Sequence, residues 1–328
     1  MPVKEKVSGD IKSTPHYYQE IFRRLASLIS LIGMAVILSI LSPYFLTVEN
    51  IFAIGLQMAV IAIMAIGEMM VIIAAGIDLS VGSVLALAGI ICTKLMVMGV
   101  SLWLSILAGV VVGTVCGWLN GIMIAKGRIP PFIATLGMMG IARGLALIIT
   151  GGVPIFGLKP GFEFLGGGRI FTVIPFPVFL MVLAAAVGHF LLSRTRFGRY
   201  TYAIGSNTEA TRLSGVNVTR YVTLIYTLAG LLCGFAGVIL ASRLSTGQPT
   251  AGTGYELDVI AACVIGGASF SGGEGTIFGA IIGALIMGVL RNGCNLLDVS
   301  VFWQQIAIGL IIIVAVFIDQ YRKEKVGV

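Results

Sequence analysis

The stretch SRTRFGRYTYAIGSNTEATRLSGVNVTR, Ser193 to Arg220, is the longest polar segment in a chain that is otherwise a succession of apolar runs. It carries Arg194, Arg196, Arg199, Arg212 and Arg220 against a single acid, Glu209. Short loops rich in Lys and Arg stay on the cytoplasmic side of a membrane, because they resist translocation and are held by the anionic inner leaflet. The segment therefore orients everything around it: it is cytoplasmic, and the apolar runs on either side are membrane spans. It also has internal order. Gly205 and Asn207 make a turn and a cap, residues 208–213 suit a short helix, and Gly215 stops it. A short exposed helix between two spans is a natural contact for a cytoplasmic partner.

Composition agrees with that reading. Of the 328 residues, 58% are hydrophobic and only 11% charged, against roughly 25% charged in soluble domains. The net charge of +7 resides in the termini and loops, with no basic face interleaved with aromatics, so it reflects membrane orientation rather than nucleic-acid binding. Cys92, Cys116, Cys233, Cys263 and Cys294 show no metal or CxxC spacing, and four of them lie in apolar runs. They read as small buried hydrophobes. With only His16 and His189 in the chain, a histidine-based metal site or catalytic triad has no material. No metal and no cofactor is expected.

A span needs about 20 apolar residues. Outward from the arginine-rich stretch, the apolar runs predict an all-α polytopic membrane protein of about ten helices, some broken, with both termini cytoplasmic. Spans are expected over about 25–41, 51–75, 79–98, 102–125, 131–150, 171–192, 221–241, 277–290 and 301–318. Between the seventh and the next lies Val259 to Ile265, too short to cross alone, flanked by Tyr255 to Asp258 and by Gly266-Gly267. It looks like a broken helix of the kind found beside substrate cavities. The division is a cytoplasmic N-terminal segment 1–24, one transmembrane domain 25–320 with the cytoplasmic loop 193–220, and a cytoplasmic tail 321–328. Arg243, Arg291 and Lys94 are exceptions to the charge rule and must snorkel or pair.

A weak internal repeat accompanies this pattern. Gly109, Gly113 and Gly117 precede Asn120-Gly121, and Gly279, Gly283 and Gly288 precede Asn292-Gly293, five spans later. Such an offset is what an inverted repeat shows. Small residues at i, i+4 that simply let backbones approach would look the same.

Ionisable groups inside spans cost roughly 2.5 to 3.5 kcal/mol each near the bilayer centre, so each must face protein or water. Glu68 and Arg143 either contact a hydroxylated solute, form an intramembrane pair or link to backbone carbonyls; Glu256 and Asp258 open the broken helix. In GIDLSVG, Gly76 to Gly82, Asp78 or Ser80 is placed to cap the next helix. The glycine-rich turn GGASFSGGEG, Gly266 to Gly275, lacks the GK[ST] of a phosphate-binding loop, so the chain does not hydrolyse ATP by that route. It reads as a tight cytoplasmic turn. Asn217-Val218-Thr219 falls in the cytoplasmic loop and is not a glycosylation site. No catalytic constellation is visible.

The stretches GIDLSVG, KGRIPPFIATLGMM from Lys126 to Met139, the loop from Arg194 to Val218, GQPTAGTGYELD from Gly247 to Asp258, and Gly266 to Leu297 together resemble the membrane permeases of monosaccharide ABC importers, of the ribose, xylose, galactose and allose group. The ribose permeases are the nearest in wording. Within that resemblance the loop matches a coupling segment, with Glu209, Ala210 and Gly215 keeping its spacing and Thr211 replacing its second alanine. It implies coupling residues Arg196, Gly198, Arg199, Gly205, Asn207, Glu209, Ala210 and Gly215, docked on a separate cytoplasmic ABC ATPase subunit. It also implies a periplasmic sugar-binding protein, a second permease copy and the lipid of the bacterial inner membrane as partners. The translocation path is expected along Glu68, Asp78, Arg143, Gln248, Glu256, Asp258 and Asn292. Transport then proceeds by alternating access. The alternatives are a permease for branched-chain amino acids or nucleosides, and a stand-alone secondary carrier.

Overall fold

A computed structural model of the chain describes residues 15–171 and 173–326. Residues 1–14, which form most of the expected N-terminal segment, and residues 327–328 of the expected tail lie outside the described residues. The elements are helices α1 (Pro15–Leu41), α2 (Val48–Ile73), α3 (Val81–Val97), α4 (Leu102–Ala125), α5 (Pro131–Thr150) and α6 (Glu163–Gly167), then a two-residue hairpin of β1 (Arg169–Ile170) and β2 (Ile174–Pro175). There follow α7 (Phe176–Arg194), α8 (Arg196–Ser206), α9 (Thr208–Leu213), α10 (Val218–Leu244), α11 (Tyr255–Ile265), α12 (Ile277–Leu296) and α13 (Val301–Val326). The chain is thus mostly helical and polytopic.

Helices α2, α4, α5, α7, α10 and α12 are long and apolar enough to cross a membrane, and α1, α3 and α13 contribute shorter apolar stretches. The 11 residues of α11 reach only about 16 Å against a hydrocarbon core of about 30 Å, in keeping with the expected broken helix. The expected ends of α4 and α5 coincide with those observed. Pro131 opens α5 with its φ already helical, and Gly151, at φ 64°, closes it in the left-handed conformation. The sixth span starts five residues later than expected, because β1 and β2 pair as a hairpin and Pro175 and Pro177 begin α7 only at Phe176.

The core lies along α2, whose residues from Met58 to Ile73 are all buried, and α10. Around them the helices make two matching sets of contacts: α10 packs on α3 and α4 while α2 packs on α11 and α12, and α3 packs on α5 while α11 packs on α13. Glycines set the closeness. A Cβ on Gly117 or Gly230 would collide with the facing backbone of α10 or α4, and one on Gly283 with the carbonyl of Ala262 in α11. Without side chains between them, α4 and α10 meet backbone to backbone and gain dispersion contacts that lipid does not supply. The outer faces of α4, α5, α7 and α13 present Trp103, Ile148, Val182 and Phe317, all exposed, as surfaces that meet lipid in a membrane chain do.

Two of the charge-rule exceptions are resolved by local partners and the third by exposure. Arg291 Nη2 binds both carboxylate oxygens of Asp258, at 2.6 and 2.7 Å, and Arg243 Nη1 donates to the Leu56 carbonyl at 3.2 Å. Lys94 is exposed in the last turn of α3, where the helix dipole favours a cation.

Candidate functional site

Three features depart from a plain bundle: two helix breaks that meet inside the protein, and the arginine-rich elbow formed by α8 and α9.

The first break follows α2. Ala75 takes φ 60° and Gly76 lies against the Tyr226 hydroxyl, so the chain doubles back. The Asp78 amide then donates to Glu68 Oε1 at 3.0 Å, ten residues earlier. Asp78 Oδ1 accepts from the Ser80 amide at 2.8 Å and from the Ser80 hydroxyl, and Asn120 Nδ2 donates to Ser80 Oγ at 3.1 Å. Thr135 Oγ1 donates to the Ile77 carbonyl at 3.3 Å. Glu68, Asp78, Ser80 and Asn120 are all buried. The sequence suggests that Asp78 or Ser80 caps α3 by accepting from its first-turn amides. Ser80 is the N-cap but makes no such bond; the Asp78 carboxylate is spent on the amide of the cap residue itself, closing the break rather than the helix.

The second break follows α10. Ser245 (φ 49°), Gly252 (φ 66°) and Gly254 (φ 84°) turn the chain inward toward α11, a shape that glycine adopts without penalty. Arg143 Nη1 on α5 donates to the carbonyls of Pro249 at 2.6 Å and Ala251 at 2.9 Å. Glu68 and Arg143 both bind backbone, Glu68 Oε1 an amide and Arg143 two carbonyls, and are not paired with each other. The two breaks touch at Gly82: a Cβ there would collide with the Gly252 carbonyl and lie 2.8 Å from Glu256 Oε2. Each short helix, α3 and α11, thus begins inside the protein with carboxylates near its positive end, Asp78 for one and Glu256 and Asp258 for the other.

The remaining path candidates are placed differently. Gln248 Nε2 donates to Thr250 Oγ1 at 3.1 Å within the second break. Asp258 is 1% exposed and held by Arg291. Asn292 exchanges two amide bonds with Asn50, of 2.7 and 3.0 Å, which clip the start of α2 to α12, away from the breaks. Asn120, Tyr226, Gly82 and Gly252 join the breaks without having been singled out as site residues. The asparagine of Asn120-Gly121 inside an apolar span was the one signal available. Replacing Asp258 by asparagine removes the charge that Arg291 grips, and is expected to cost about 2 kcal/mol; a thermal unfolding scan of the purified protein against Asp258→Asn checks this.

The elbow is more ordered than its sequence implied. Asn207 caps α9, its side chain accepting from the Ala210 amide at 2.8 Å, and Gly215 sits past its end at φ 83°, as expected. Asn217 of the sequon caps α10 instead, accepting from the Arg220 amide at 3.0 Å. The helix α8 was not foreseen, although Phe197, Thr201, Ile204 and Gly205 recur at helical spacing. Its inward side is pinned tightly. A Cβ on Gly198 would strike the Leu192 carbonyl and one on Gly205 the Ile73 carbonyl, while Tyr202 donates to the Gly275 carbonyl at 2.7 Å and the Gly273 amide to the Ile73 carbonyl at 2.8 Å. The glycine-rich turn is therefore a seat for α8 against the end of α2. Helix α9 projects beyond it: Glu209 and Arg212 pair at 3.2 Å on the surface, Leu213 is 82% exposed, and only Thr211 is buried.

Among the described residues no group of three or more His, Cys, Asp or Glu side chains is placed to hold a metal.

Comparison with known proteins places these features in context. The family described as "Branched-chain amino acid transport system / permease component" matches residues 50–316. The ribose import permease protein RbsC of Escherichia coli K12 is 46% identical over 301 residues, covering 90% of this chain and 94% of that protein. That of Bacillus subtilis is 47% identical over 308 residues, covering 93% and 95%. The D-allose transport system permease protein AlsC of E. coli K12 is 40% identical over 293 residues, covering 88% and 89%. No solved structure matches.

Proposed function

Since this chain belongs to the branched-chain amino acid transport system / permease component family, we propose that it is the membrane-spanning permease of an ATP-driven importer whose cargo is ribose or a closely related monosaccharide. The observation that carries this reading is the near end-to-end similarity to ribose permeases, at 46–47% identity over nine-tenths of the chain. The allose relative is less similar, at 40%, which favours ribose. The protein resides in the bacterial cytoplasmic membrane. Its role is transport; ATP is hydrolysed by a separate subunit, docked on the α8–α9 elbow, and sugar arrives from an extracytoplasmic binding protein.

In this reading one permease domain spans the membrane about ten times, counting α11 and its partner break as one interrupted crossing, with both termini and the elbow cytoplasmic. The crosswise contacts of α2–α5 and α10–α13 support an inverted repeat, with the two breaks as its equivalent midpoints. Two copies surround the path. Glu68, Asp78, Arg143, Gln248 and Glu256 stand beside it, and because Asp78, Arg143 and one carboxylate oxygen of Glu68 already bond to the protein itself, selection rests mainly with the binding protein. Closure of the ATPase pair pushes on α9. Through α8, seated against Ile73 and Gly273, that motion reaches the first break.

The test is uptake of labelled ribose by cells with and without the chain. Uptake is expected to depend on the chain, to stop when ATP is depleted, and to survive an ionophore that collapses ion gradients while ATP is maintained. Ionophore-sensitive uptake by a chain that purifies alone would establish a secondary carrier instead, and leucine or nucleoside uptake would place it elsewhere in the family.

A further inference from the structure

Helices α7 and α10 both pack on α2 but stand apart from each other, leaving a crevice of about 300 Å³ whose lining is apolar throughout, from Ile66 and Met70 at its floor to Ala184, Leu191, Leu228 and Phe235 on its walls. Both walls lead to arginine. On α7, Leu180, Ala184, Val187, Leu191 and Arg194 follow one another at steps of three or four, and on α10 so do Arg220, Leu224, Leu228, Leu231 and Phe235, which puts each series on one helix face. Helix α8 crosses the mouth. Its Tyr200 meets Tyr221 of α10 edge-on at 4.8 Å, and Arg196 and Arg199 lie on either side of Gly198 in the same helix. Arg194, Arg196, Arg199 and Arg220 are exposed, and none has an acidic partner among the described residues.

We propose that this crevice is a binding site for an anionic phospholipid, with one acyl chain lying between α7 and α10 and the phosphate headgroup held by Arg194 and Arg220 at the mouth. An apolar slot alone accepts any lipid. Two unpaired guanidiniums at its open end, Arg194 and Arg220, add the preference for negative charge, each worth about 1 kcal/mol near a membrane surface, and the paired tyrosines suit the boundary between acyl chain and headgroup. A second copy of the chain fits less well: an isologous contact centred on the crevice would bring the arginine elbows of both copies together. The bound lipid would brace α8 against α7 and α10, and so stiffen the platform from which α9 projects. The site rests on the reading of the elbow as cytoplasmic only for which leaflet supplies the lipid.

The test is native mass spectrometry of the full chain released from nanodiscs of equal phosphatidylglycerol and phosphatidylcholine. Phosphatidylglycerol is expected to be retained at least tenfold over phosphatidylcholine. Arg194→Gln and Arg220→Gln should each lower that preference about fivefold, with Arg194→Lys retaining most of it, and Ala184→Trp, which fills the slot, should reduce retention of both lipids. Equal retention of the two lipids, or full retention of phosphatidylglycerol by Ala184→Trp, overturns the proposal. Disulfide formation between two copies carrying Ala184→Cys does so as well, by showing that a second chain covers the crevice. Lipid retention is read without ATPase, binding protein or transport, so its failure and a failure of the importer reading are separate results.

Discussion

Gly113→Leu is expected to leave no folded protein, whereas Gly137→Leu one helix away is expected to be silent. A Cβ on Gly113 would lie 2.5 Å from the Gly230 carbonyl oxygen and 2.5 Å from the Gly234 Cα. These obstacles are backbone, so no side chain can rotate to make room and α4 must move off α10 along its length. Overpacking a core costs typically 1 to 3 kcal/mol where side chains can yield; where two backbones must part, the loss is expected to exceed that and reach the whole of a margin of about 5 to 15 kcal/mol. Gly137 in α5 has nothing within 4 Å of its Cβ position, and leucine also has the better helix propensity, by up to about 1 kcal/mol. Fluorescence-detected size exclusion of the two variants, expressed as fusions, separates the outcomes. A monodisperse Gly113→Leu peak would show that the α4–α10 contact gives way more easily than its geometry implies.

The second large effect is on coupling. Leu213→Glu and Gly215→Pro are expected to lower sugar uptake by more than tenfold while the protein remains inserted and folded. Leu213 is 82% exposed at the tip of α9, so an acid there removes an apolar contact with a partner at little expense to the permease. Gly215 holds φ 83°, which proline, fixed near −65°, cannot adopt; the end of α9 is then lost locally. Glu209→Ala removes an ion pair whose members are 62% and 67% exposed. Such pairs contribute about 0 to 1 kcal/mol, so any loss of uptake in this variant reports docking and not stability. Uptake is measured beside the ATPase activity and the size-exclusion profile of the same preparations. Normal coupled uptake in all three variants would remove α9 from the coupling role.

The individual helices of this protein are legible in its sequence because membrane spans are written locally. An apolar run of sufficient length places α4, a proline at one end and a glycine at the other place α5 to the residue, and the asparagine and glycine around residues 208–213 place α9. The same holds for the short run of α11, whose shortfall against the bilayer marks it as broken. Orientation was implied by where the arginines gather, and the nature of the cargo by the wording of several stretches taken together.

What only the tertiary structure decided is which distant groups meet. Glu68 carries nothing that names the amide of Asp78 as its partner, nor does Arg143 name the carbonyls of Pro249 and Ala251. Those bonds exist because the chain reverses at Ala75 and again at residues 245–254, and because Gly82 lets the two reversals touch. Helix α8 is not legible in the sequence for a related reason: it is short and polar on one side, and its stability comes from the glycine-rich turn and the end of α2 on which it sits. Length and hydropathy are properties of a segment and can be read along it. A buried polar contact belongs to two segments at once, and its partner is determined by how the backbone brings them together.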